Sequence, residues 1–398
     1  MNILIITPRV PYPPFRGDKL KIYNIAKHLS VHHSVRILTF LRSKKQLKDL
    51  EHFNKYGIQI DIVKLSIFES LIKVLIAIVS NTPFQVAWYS SSKMKLKINE
   101  ILRNNRIDVV YYHLIRSAQY LSTISDERTL KIIDYTDAVS LYLKRFAEIE
   151  NNPFKKLFIK IEQKRVTAYE SIAERFHTLF ICSKVDKDFL EKRGIDVKIQ
   201  ILQNRIDTKY FNPVKQDYSK GRIIFTGNMP YYANYDAAIY FAQEISPLIL
   251  KSIPEAEFFI VGQKPPVCIR KLQSKNIKVT GFVPDIKAEY LKSALNVAPM
   301  RFGAGTLNKV IESISLGVPV VATSLAIEGL PEELYKYISV ADDKNEFAGI
   351  VIKILNNPSI RNELMEEGKN VICNLLSWEK IVDDFANYLE SELSKLNN

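Results

Sequence analysis

Short runs of continuous apolar residues recur along this chain, each followed by a segment with helical periodicity. Residues 2–7 (NILIIT) precede a helical segment at 19–30, and residues 35–40 form the next run. Apolar strands without alternation are typical of parallel sheets covered on both faces, and strand, helix, strand is a βαβ unit. Further strands are predicted at residues 108–114, 131–136, 178–183 and 198–204. The first half therefore predicts a doubly wound parallel sheet.

The same alternation begins again in the second half. It predicts strands at residues 222–227, 257–262, 278–282, 295–300 and 318–323, and helices at 234–251, from Asp285 and near 307–316. Residues 205–220 between the two sets mix proline, glycine, asparagine and charge without periodicity. We therefore predict two Rossmann-like α/β domains, residues 1–205 and 206–377. Because ligands bind at the carboxyl ends of parallel strands, we expect both sheets to face a central cleft.

Composition and length exclude several classes of protein. A chain of 398 residues with 47% hydrophobic residues is not disordered, and no apolar run approaches the roughly 20 residues of a membrane span. The N-terminus lacks the pattern of a secretory signal, so we expect a cytoplasmic protein. Cys182, Cys268 and Cys373 lie far apart and are predicted to be reduced thiols. The six histidines form no zinc pattern and no strand-flanked DxD is present, so we predict no metal site.

The positive charge is concentrated in the first half. Residues 1–200 hold 34 Lys and Arg against 20 Asp and Glu, whereas the remainder hold 22 against 23. This asymmetry points to an anionic partner, such as an acidic lipid surface or a phosphorylated substrate, although a basic surface can also act on solubility alone. Basic clusters interleaved with aromatic residues are missing, so we expect no nucleic-acid partner.

A glycine-containing loop in the second half resembles an anion site. The predicted strand 295–300 runs into Arg301, Gly303, Gly305 and Thr306, and a helix follows. Glycine permits positive φ and close backbone approach, Thr306 can cap the helix, and its first N–H groups converge on one point. An anion is expected there.

Two charged residues of the following helix extend this interpretation. Lys309 lies in the first turn, where a positive charge opposes the helix dipole unless an anion is bound. Glu312 shares its helix face and can accept hydrogen bonds from ribose hydroxyls. Together they indicate a nucleotide site. The alternative is a tight turn followed by a surface Lys–Glu pair.

Polar residues also follow the predicted strands of the first half. His113 ends the strand at 108–114 and Arg116 follows in the same loop. Asp134 ends the next strand and Asp137 follows three residues later. Either could orient an acceptor hydroxyl or cap a helix that starts near residue 138; we predict the first role for Asp134 and the second for Asp137. We expect acceptor chemistry at this edge of the sheet.

The loop after the first strand contains four prolines and Gly17. Its backbone can approach a donor diphosphate at Gly17. Arg16 and Lys19 add positive charge at the start of the first helix, on the acceptor side.

Residues 66–79 (SIFESLIKVLIAIV) are apolar on almost every side of a predicted helix. Ser66, Glu69, Ser70 and Lys73 occupy one narrow face. Such a helix is either nearly buried in the core or lies in a membrane interface. Lys93, Lys95 and Lys97 follow closely, and the basic first half makes peripheral binding to an anionic bilayer a hypothesis.

Residues 303–323 (GAGTLNKVIESISLGVPVVAT) resemble the donor-site signature of glycosyltransferase family 4, which has the GT-B fold and is mostly retaining. Similar segments lie along nearly the whole chain, at residues 11–19, 204–207, 224–229, 234–236, 259–262, 281–285 and 377–378. The resemblance implies a C-terminal helix, about 378–398, that packs back on the first domain.

The resemblance implies roles for individual residues. Glu312 would bind ribose, His113 would contact the transferred sugar, and Ala304 stands where the family has a sugar-contacting glutamate. Arg301 and Lys309 would neutralise the diphosphate, because the family's usual Arg/Lys pair is missing from the segment that contains Asn228. The donor-binding set is Gly17, Asn228, Arg301, Gly303, Ala304, Gly305, Thr306, Lys309 and Glu312.

The expected function is transfer of a sugar from a UDP- or GDP-sugar to a glycan or lipid-linked acceptor in surface polysaccharide synthesis. The expected reaction retains configuration and needs neither metal nor cofactor. A nucleotide-sugar epimerase of the GT-B fold and a non-enzymatic polyanion-binding protein are the alternatives.

Overall fold

The computed structural model describes residues 1–124, 126–214, 216–364 and 375–397. Internal contacts divide the chain into two compact units. The first unit comprises Met1–Asn204 and Trp378–Asn398, and the second comprises Arg205–Ser377. Cys373 lies outside the described residues.

The first unit is built on a seven-stranded parallel sheet in the order β3-β2-β1-β4-β5-β6-β7. Its strands are β1 Asn2–Thr7, β2 Ser34–Leu41, β3 Gln59–Lys64, β4 Val109–His113, β5 Leu130–Thr136, β6 Thr178–Ile181 and β7 Ile199–Ile201. Every residue of the central strand β4 is buried, as its apolar run predicts. The strand β3 was not predicted from the sequence, because this edge strand (QIDIVK) is half polar and only its Val63 is buried.

Helices cover both faces of this sheet. They are α1 Gly17–Leu29, α2 Leu47–Glu51, α3 Ile67–Val79, α4 Phe84–Ala87, α5 Ser92–Asn104, α6 Val139–Ile149, α7 Pro153–Tyr169 and α8 Lys184–Lys192. A 3₁₀ segment, Ile115–Thr123, follows β4. Apolar side chains pointing to opposite faces of the strands pack into two separate hydrophobic clusters.

The helix α3 corrects one interpretation of the sequence. The helix forms where residues 66–79 predict it, and Ser66 caps its N-terminus by accepting from the Glu69 amide. The expectation of a nearly buried core helix is wrong, because most of its apolar side chains are exposed.

The second unit repeats the design with a six-stranded parallel sheet in the order β10-β9-β8-β11-β12-β13. Its strands are β8 Ser219–Thr226, β9 Glu257–Val261, β10 Ile277–Gly281, β11 Ser293–Ala298, β12 Val320–Ala322 and β13 Ile338–Val340. Its helices are α9 Tyr232–Tyr240, α10 Ser246–Ser252, α11 Val267–Arg270, α12 Ile286–Leu291, α13 Asn308–Ser315, α14 Ser324–Ile327 and α15 Lys344–Asn356. The single helix predicted at 234–251 is divided by a π-helical turn, Phe241–Ile245, and Pro247 lies in the first turn of α10.

The last helix, α16 (Trp378–Asn397), belongs to the first unit and contacts α1. Four of its apolar side chains lie in a core cluster of that unit: Trp378, Val382, Phe385 and Leu389. The ring of Phe385 packs edge-on against Phe180, with centroids 5.1 Å apart. Helical spacing of these four residues therefore accounts for where α16 binds.

Candidate active site

In the second unit, the loop from β11 to α13 brings backbone segments unusually close together. Gly305 has a positive φ of 78°, and a Cβ built on Gly329 would lie 2.1 Å from the Gly305 carbonyl oxygen. Side chains are therefore excluded at both positions. Leu307 occupies the N-cap of α13 and provides no side-chain cap. N–H groups at the start of α13 can therefore donate hydrogen bonds to a bound anion.

Lys309 is buried in this turn. Its Nζ donates a hydrogen bond to Asn234 Oδ1 (2.8 Å) and lies 3.9 Å from the centroid of the Phe225 ring. Burial lowers the pKa of Lys309 to about 7, although Glu312 opposes that effect. Lys309 forms no ion pair with any residue that the structure describes, and a bound phosphate would supply one.

Glu312 lies one turn further along α13, and a buried tyrosine holds its carboxylate. The Tyr290 hydroxyl bonds Glu312 Oε2 (3.0 Å) and Thr226 Oγ1 (2.6 Å). Burial raises the pKa of Glu312 to about 7, while hydrogen bonding from Tyr290 opposes the rise. The carboxylate is thereby fixed in position and retains further sites that accept hydrogen bonds.

Other residues expected to bind the donor are held by protein groups. Arg301 forms an ion pair with Asp236 through two nitrogens, so its charge is compensated, unlike that of Lys309. Asn228 accepts from Gln263 Nε2 (3.3 Å) through its side chain and from Asn234 Nδ2 (3.1 Å) through its carbonyl.

The loop residues follow the same pattern. The hydroxyl of Thr306, expected to cap α13, donates instead to the Gly329 carbonyl (3.0 Å). Gly303 has a φ of 155° and is buried, and Ala304 is partly exposed in the same loop. Asn308 Oδ1 is buried without a hydrogen-bond partner among the described residues. The first residue of α13 therefore retains a hydrogen-bond acceptor that the described protein groups leave unused.

In the first unit, His113 lies at the carboxyl end of β4 and is buried. Its Nδ1 is 3.0 Å from Thr7 Oγ1, and its Nε2 has no partner among the described residues. Burial lowers the pKa of His113 to about 4, with Asp134 and Asp18 opposing the effect. The imidazole is therefore neutral at pH 7, and its Nε2 can form one hydrogen bond with a ligand.

Asp134 is less accessible than the sequence led us to expect. It is fully buried, and its carboxylate binds Lys21 Nζ (2.7 Å), the Tyr111 hydroxyl and the Thr136 amide (2.7 Å). Both oxygens are used, so this geometry leaves no room to orient an acceptor hydroxyl. Through Lys21, the Asp134 carboxylate instead links α1 to strand β5.

The prediction that Asp137 caps a helix is also wrong. Helix α6 begins after Ala138 without a side-chain cap. The Ala138 amide donates to Asp186 Oδ1 (3.0 Å), a residue near the start of α8. In the first turn of α6, the Ser140 amide donates to Glu170 Oε1 (3.0 Å), so a carboxylate distant in sequence replaces the local cap.

Arginines gather around Tyr89 near the carboxyl ends of β1, β2 and β4. Its hydroxyl accepts from Arg9 Nε (3.2 Å) and from Arg42, and Arg116 lies over its ring with Cζ 5.8 Å from the centroid. Arg9 and Arg16 both bind Asp18, the one carboxylate among these contacts.

Arg116 of this cluster forms no ion pair with a described residue. It donates from Nε to Gln85 (3.0 Å), and its buried Nη1 has no partner among the described residues. Burial, together with the nearby Arg9, lowers the pKa of Arg116 to about 10. An anion bound here would relieve that repulsion.

The start of α1 holds the other residues with predicted roles: Gly17, predicted for the donor side, and Arg16 and Lys19, predicted for the acceptor side. Gly17 is its first residue, and a Cβ there would be 4.0 Å from Asn204 Nδ2, an ordinary contact. Lys19 is partly buried, and burial lowers its pKa. Among the described residues, no three His, Cys, Asp or Glu side chains are grouped to hold a metal, and no helix is long and apolar enough to cross a membrane.

Several residues of these sites were missed by sequence reasoning. Tyr290, Lys21, Arg9 and Tyr89 have no motif of their own, since each acquires its role from a partner far along the chain. Arg9 offered one signal, because it comes two residues after a predicted strand, as Arg116 does.

Comparisons with known proteins agree with this geometry. Residues 220–357, which hold the β11–α13 loop and its partners, match the family "Glycosyl transferases group 1". An "Uncharacterized 44.6 kDa protein in cps region" of Klebsiella pneumoniae is 23% identical over 387 residues, covering 91% of this chain and 93% of that protein.

Solved structures share the fold over almost the whole chain. HepE of Anabaena in complex with UDP and glucose superposes with a TM-score of 0.68 at 14% identity, covering 98% of this chain and 100% of HepE. A TarM variant of S. aureus in complex with Fondaparinux, alpha-GlcNAc-glycerol and UDP gives a TM-score of 0.71 at 12% identity, with 98% and 100% covered. The two parallel-sheet units therefore have the GT-B fold.

Proposed function

We propose that this protein is a retaining glycosyltransferase of family 4 that transfers a sugar from a nucleoside diphosphate sugar to a glycan or lipid-linked acceptor. The reaction breaks the bond between the anomeric carbon and the diphosphate oxygen and forms one to an acceptor hydroxyl, whose proton is lost. It serves surface polysaccharide synthesis at the cytoplasmic face of the membrane. The relative from the Klebsiella cps region supports that setting.

The arrangement of Lys309, Glu312 and the first turn of α13 carries this proposal. A buried ammonium group beside a helix N-terminus without a side-chain cap suits a diphosphate, and a carboxylate fixed by Tyr290 suits ribose hydroxyls. UDP is the first nucleotide to test, because the HepE and TarM structures contain it. We propose that cations and helix dipole stabilise the leaving diphosphate without a metal.

The acceptor side is proposed to lie in the first unit. His113 offers a neutral imidazole for a sugar hydroxyl, and Arg9, Arg16 and Arg116 offer positive charge for an anionic group of the acceptor. Lys19 adds to that charge. We assign Asp134 a positioning role, through its bonds to Lys21 and Tyr111.

Thermal shift with UDP, GDP, ADP, CMP and dTDP tests the donor site. One diphosphate at about a hundred times its Kd should stabilise the protein by about 2.7 kcal/mol. Lys309→Ala and Glu312→Ala should lose that shift, whereas Lys353→Ala, an exposed lysine of α15, should keep it. If no nucleotide stabilises the protein, the proposal fails.

Product analysis then separates transfer from epimerisation. A transferase forms product only when an acceptor is present, and its activity should survive EDTA. Conversion of the nucleotide sugar without acceptor would contradict the proposal.

A further inference from the structure

The helix α3 attaches to the first unit through small residues and turns its large residues to solvent. Ser70 and Ala77, seven positions apart, are its buried residues, and Ser70 donates to the Trp88 carbonyl (2.7 Å). Phe68 is 74% exposed and Val79 is 90% exposed. The exposed large apolar residues of this helix are Ile67, Phe68, Leu71, Ile72, Leu75, Ile76, Ile78 and Val79. Water is a poor environment for such a surface, which indicates a contact with another apolar phase.

A second helix presents a similar stripe. Phe154, Leu157, Phe158 and Ile161 are exposed on α7, and their spacing places all four on one side of the helix. Phe154 is 84% exposed. The opposite side of α7 carries the buried Ile159 and Val166, so this helix packs normally and exposes an additional apolar stripe.

The two helices are tied together. Phe84 of α4 stacks on Phe158 with ring centroids 5.5 Å apart, and its amide donates to Glu162 of α7 (2.9 Å). Arg165 of α7 donates to the Ile78 carbonyl of α3 (2.8 Å) and lies over the Phe84 ring. We call Ile67–Val79 of α3 and the four-residue stripe of α7 the apolar face. These contacts make it one surface.

Lysines accompany the apolar face. Lys73 of α3 and Lys160 and Lys164 of α7 are exposed, and Lys156 is partly exposed. None of the four forms an ion pair with a described residue, whereas Lys155 binds Glu150. Glu69 is the one acidic residue of α3. The apolar face therefore carries uncompensated positive charge.

We propose that the apolar face docks this protein on an anionic lipid bilayer, with its apolar side chains in the interfacial region and its lysines at the headgroups. An apolar surface that carries lysines is the pattern of helices that lie in a membrane interface. A helix of 13 residues cannot span a bilayer, so α3 would lie along the surface. This docking does not depend on glycosyl transfer.

Charge favours a bilayer over a second copy of this chain. A symmetric dimer through the apolar face would bring the same lysines of both copies into one contact, where like charges repel. Anionic headgroups would instead compensate them. The excess of positive charge in residues 1–200 acts in the same direction.

Co-sedimentation of the full chain with vesicles tests the proposal. Vesicles of phosphatidylcholine mixed with phosphatidylglycerol should bind about tenfold more protein than vesicles of phosphatidylcholine alone. Leu71→Ser with Leu75→Ser should lower binding about tenfold or more, because both side chains are exposed and leave the apolar phase. Lys160→Glu with Lys164→Glu should remove the preference for anionic vesicles.

Matched variants in the second unit serve as controls. Val267→Ser removes an exposed apolar side chain, and Lys251→Glu with Lys271→Glu reverses two exposed charges. These should bind as the unchanged protein does, and an unaltered melting temperature verifies folding of each variant.

Two results would overturn the proposal. One is binding that does not distinguish neutral from anionic vesicles. The other is a protein that does not bind vesicles but forms a dimer in light scattering, where Leu71→Ser with Leu75→Ser dissociates the dimer. That result would assign the apolar face to contact with a second copy of the chain. Neither result affects the nucleotide shift, so this proposal and the donor-site proposal fail separately.

Discussion

Lys309 and Glu312 have opposite requirements for protonation in the proposed donor site. A diphosphate favours the charged ammonium group, which is lost as the pH rises above the pKa of Lys309, about 7. Ribose hydroxyls favour the ionised carboxylate, which is lost as the pH falls below the pKa of Glu312, also about 7. We therefore predict that affinity for the nucleoside diphosphate is greatest near pH 7 and falls by up to about tenfold per pH unit on either side.

Calorimetric titration with the preferred nucleotide from acid to alkaline pH measures this profile. Lys309→Met should remove the alkaline decline, and Glu312→Gln should remove the acid decline, each with weaker binding at neutral pH. A flat profile in the unchanged protein would contradict the assignment of both residues to the ligand.

The contrast between Lys309 and Arg301 marks the limit of sequence reasoning for single residues. Spacing of three along a predicted helix was enough to place Lys309 and Glu312 on one face. Lys309 binds Asn234, which lies 75 residues away in the sequence, and Arg301 binds Asp236, which lies 65 residues away. Local pattern therefore could not predict that one cation is paired with a carboxylate and the other is not.

At the scale of elements, an ion pair buried in the first unit joins α1 to β5. Lys21 Nζ and Asp134 Oδ2 are 2.7 Å apart, and both side chains are fully buried. Burial lowers the pKa of Lys21, but Asp134 and Cys182 together, through charge and hydrogen bonding, raise it above its ordinary value. We predict that Lys21→Met lowers the free energy of unfolding of this unit by about 3–5 kcal/mol, because it leaves a buried carboxylate without its counter-ion.

Hydrogen exchange of β5 amides under native conditions measures this loss in the first unit alone. Lys27→Met on the same helix is the control and should cost less than about 1 kcal/mol. Lys21→Met combined with Asp134→Asn should restore part of the protection. Equal protection in Lys21→Met and Lys27→Met would show that the pair contributes nothing to stability.

The elements also show what an apolar pattern can predict. Continuous runs located the central strands of both sheets, since a strand covered on both faces has no polar positions. The same reasoning did not decide between burial and exposure of α3, because a helix that is apolar on almost every side carries little signal for which side packs on the protein. Ser70 and Ala77 mark the side of α3 that packs on the rest of the first unit, since small residues allow close approach.

At the scale of the molecule, the sequence predicted two α/β units of the GT-B fold. It succeeded because the alternation of strands and helices begins again after residue 220, and because residues 303–323 resemble a known signature. Which unit binds the donor and which binds the acceptor does not follow from the fold, since fold alone does not determine chemistry. The assignment can be tested because Lys309 and Glu312, which we propose bind the donor, belong to the second unit, whereas His113 belongs to the first.

We predict that His113→Asn separates binding from transfer. The nucleotide-induced thermal shift should remain, because Lys309, Glu312 and Tyr290 are unchanged in the second unit. Transfer to an acceptor should fall by about a hundredfold, since asparagine removes the neutral imidazole that is proposed to contact the sugar while keeping a polar group near Thr7. Transfer at the unchanged rate would remove His113 from the reaction, whereas loss of the thermal shift would place it in nucleotide binding.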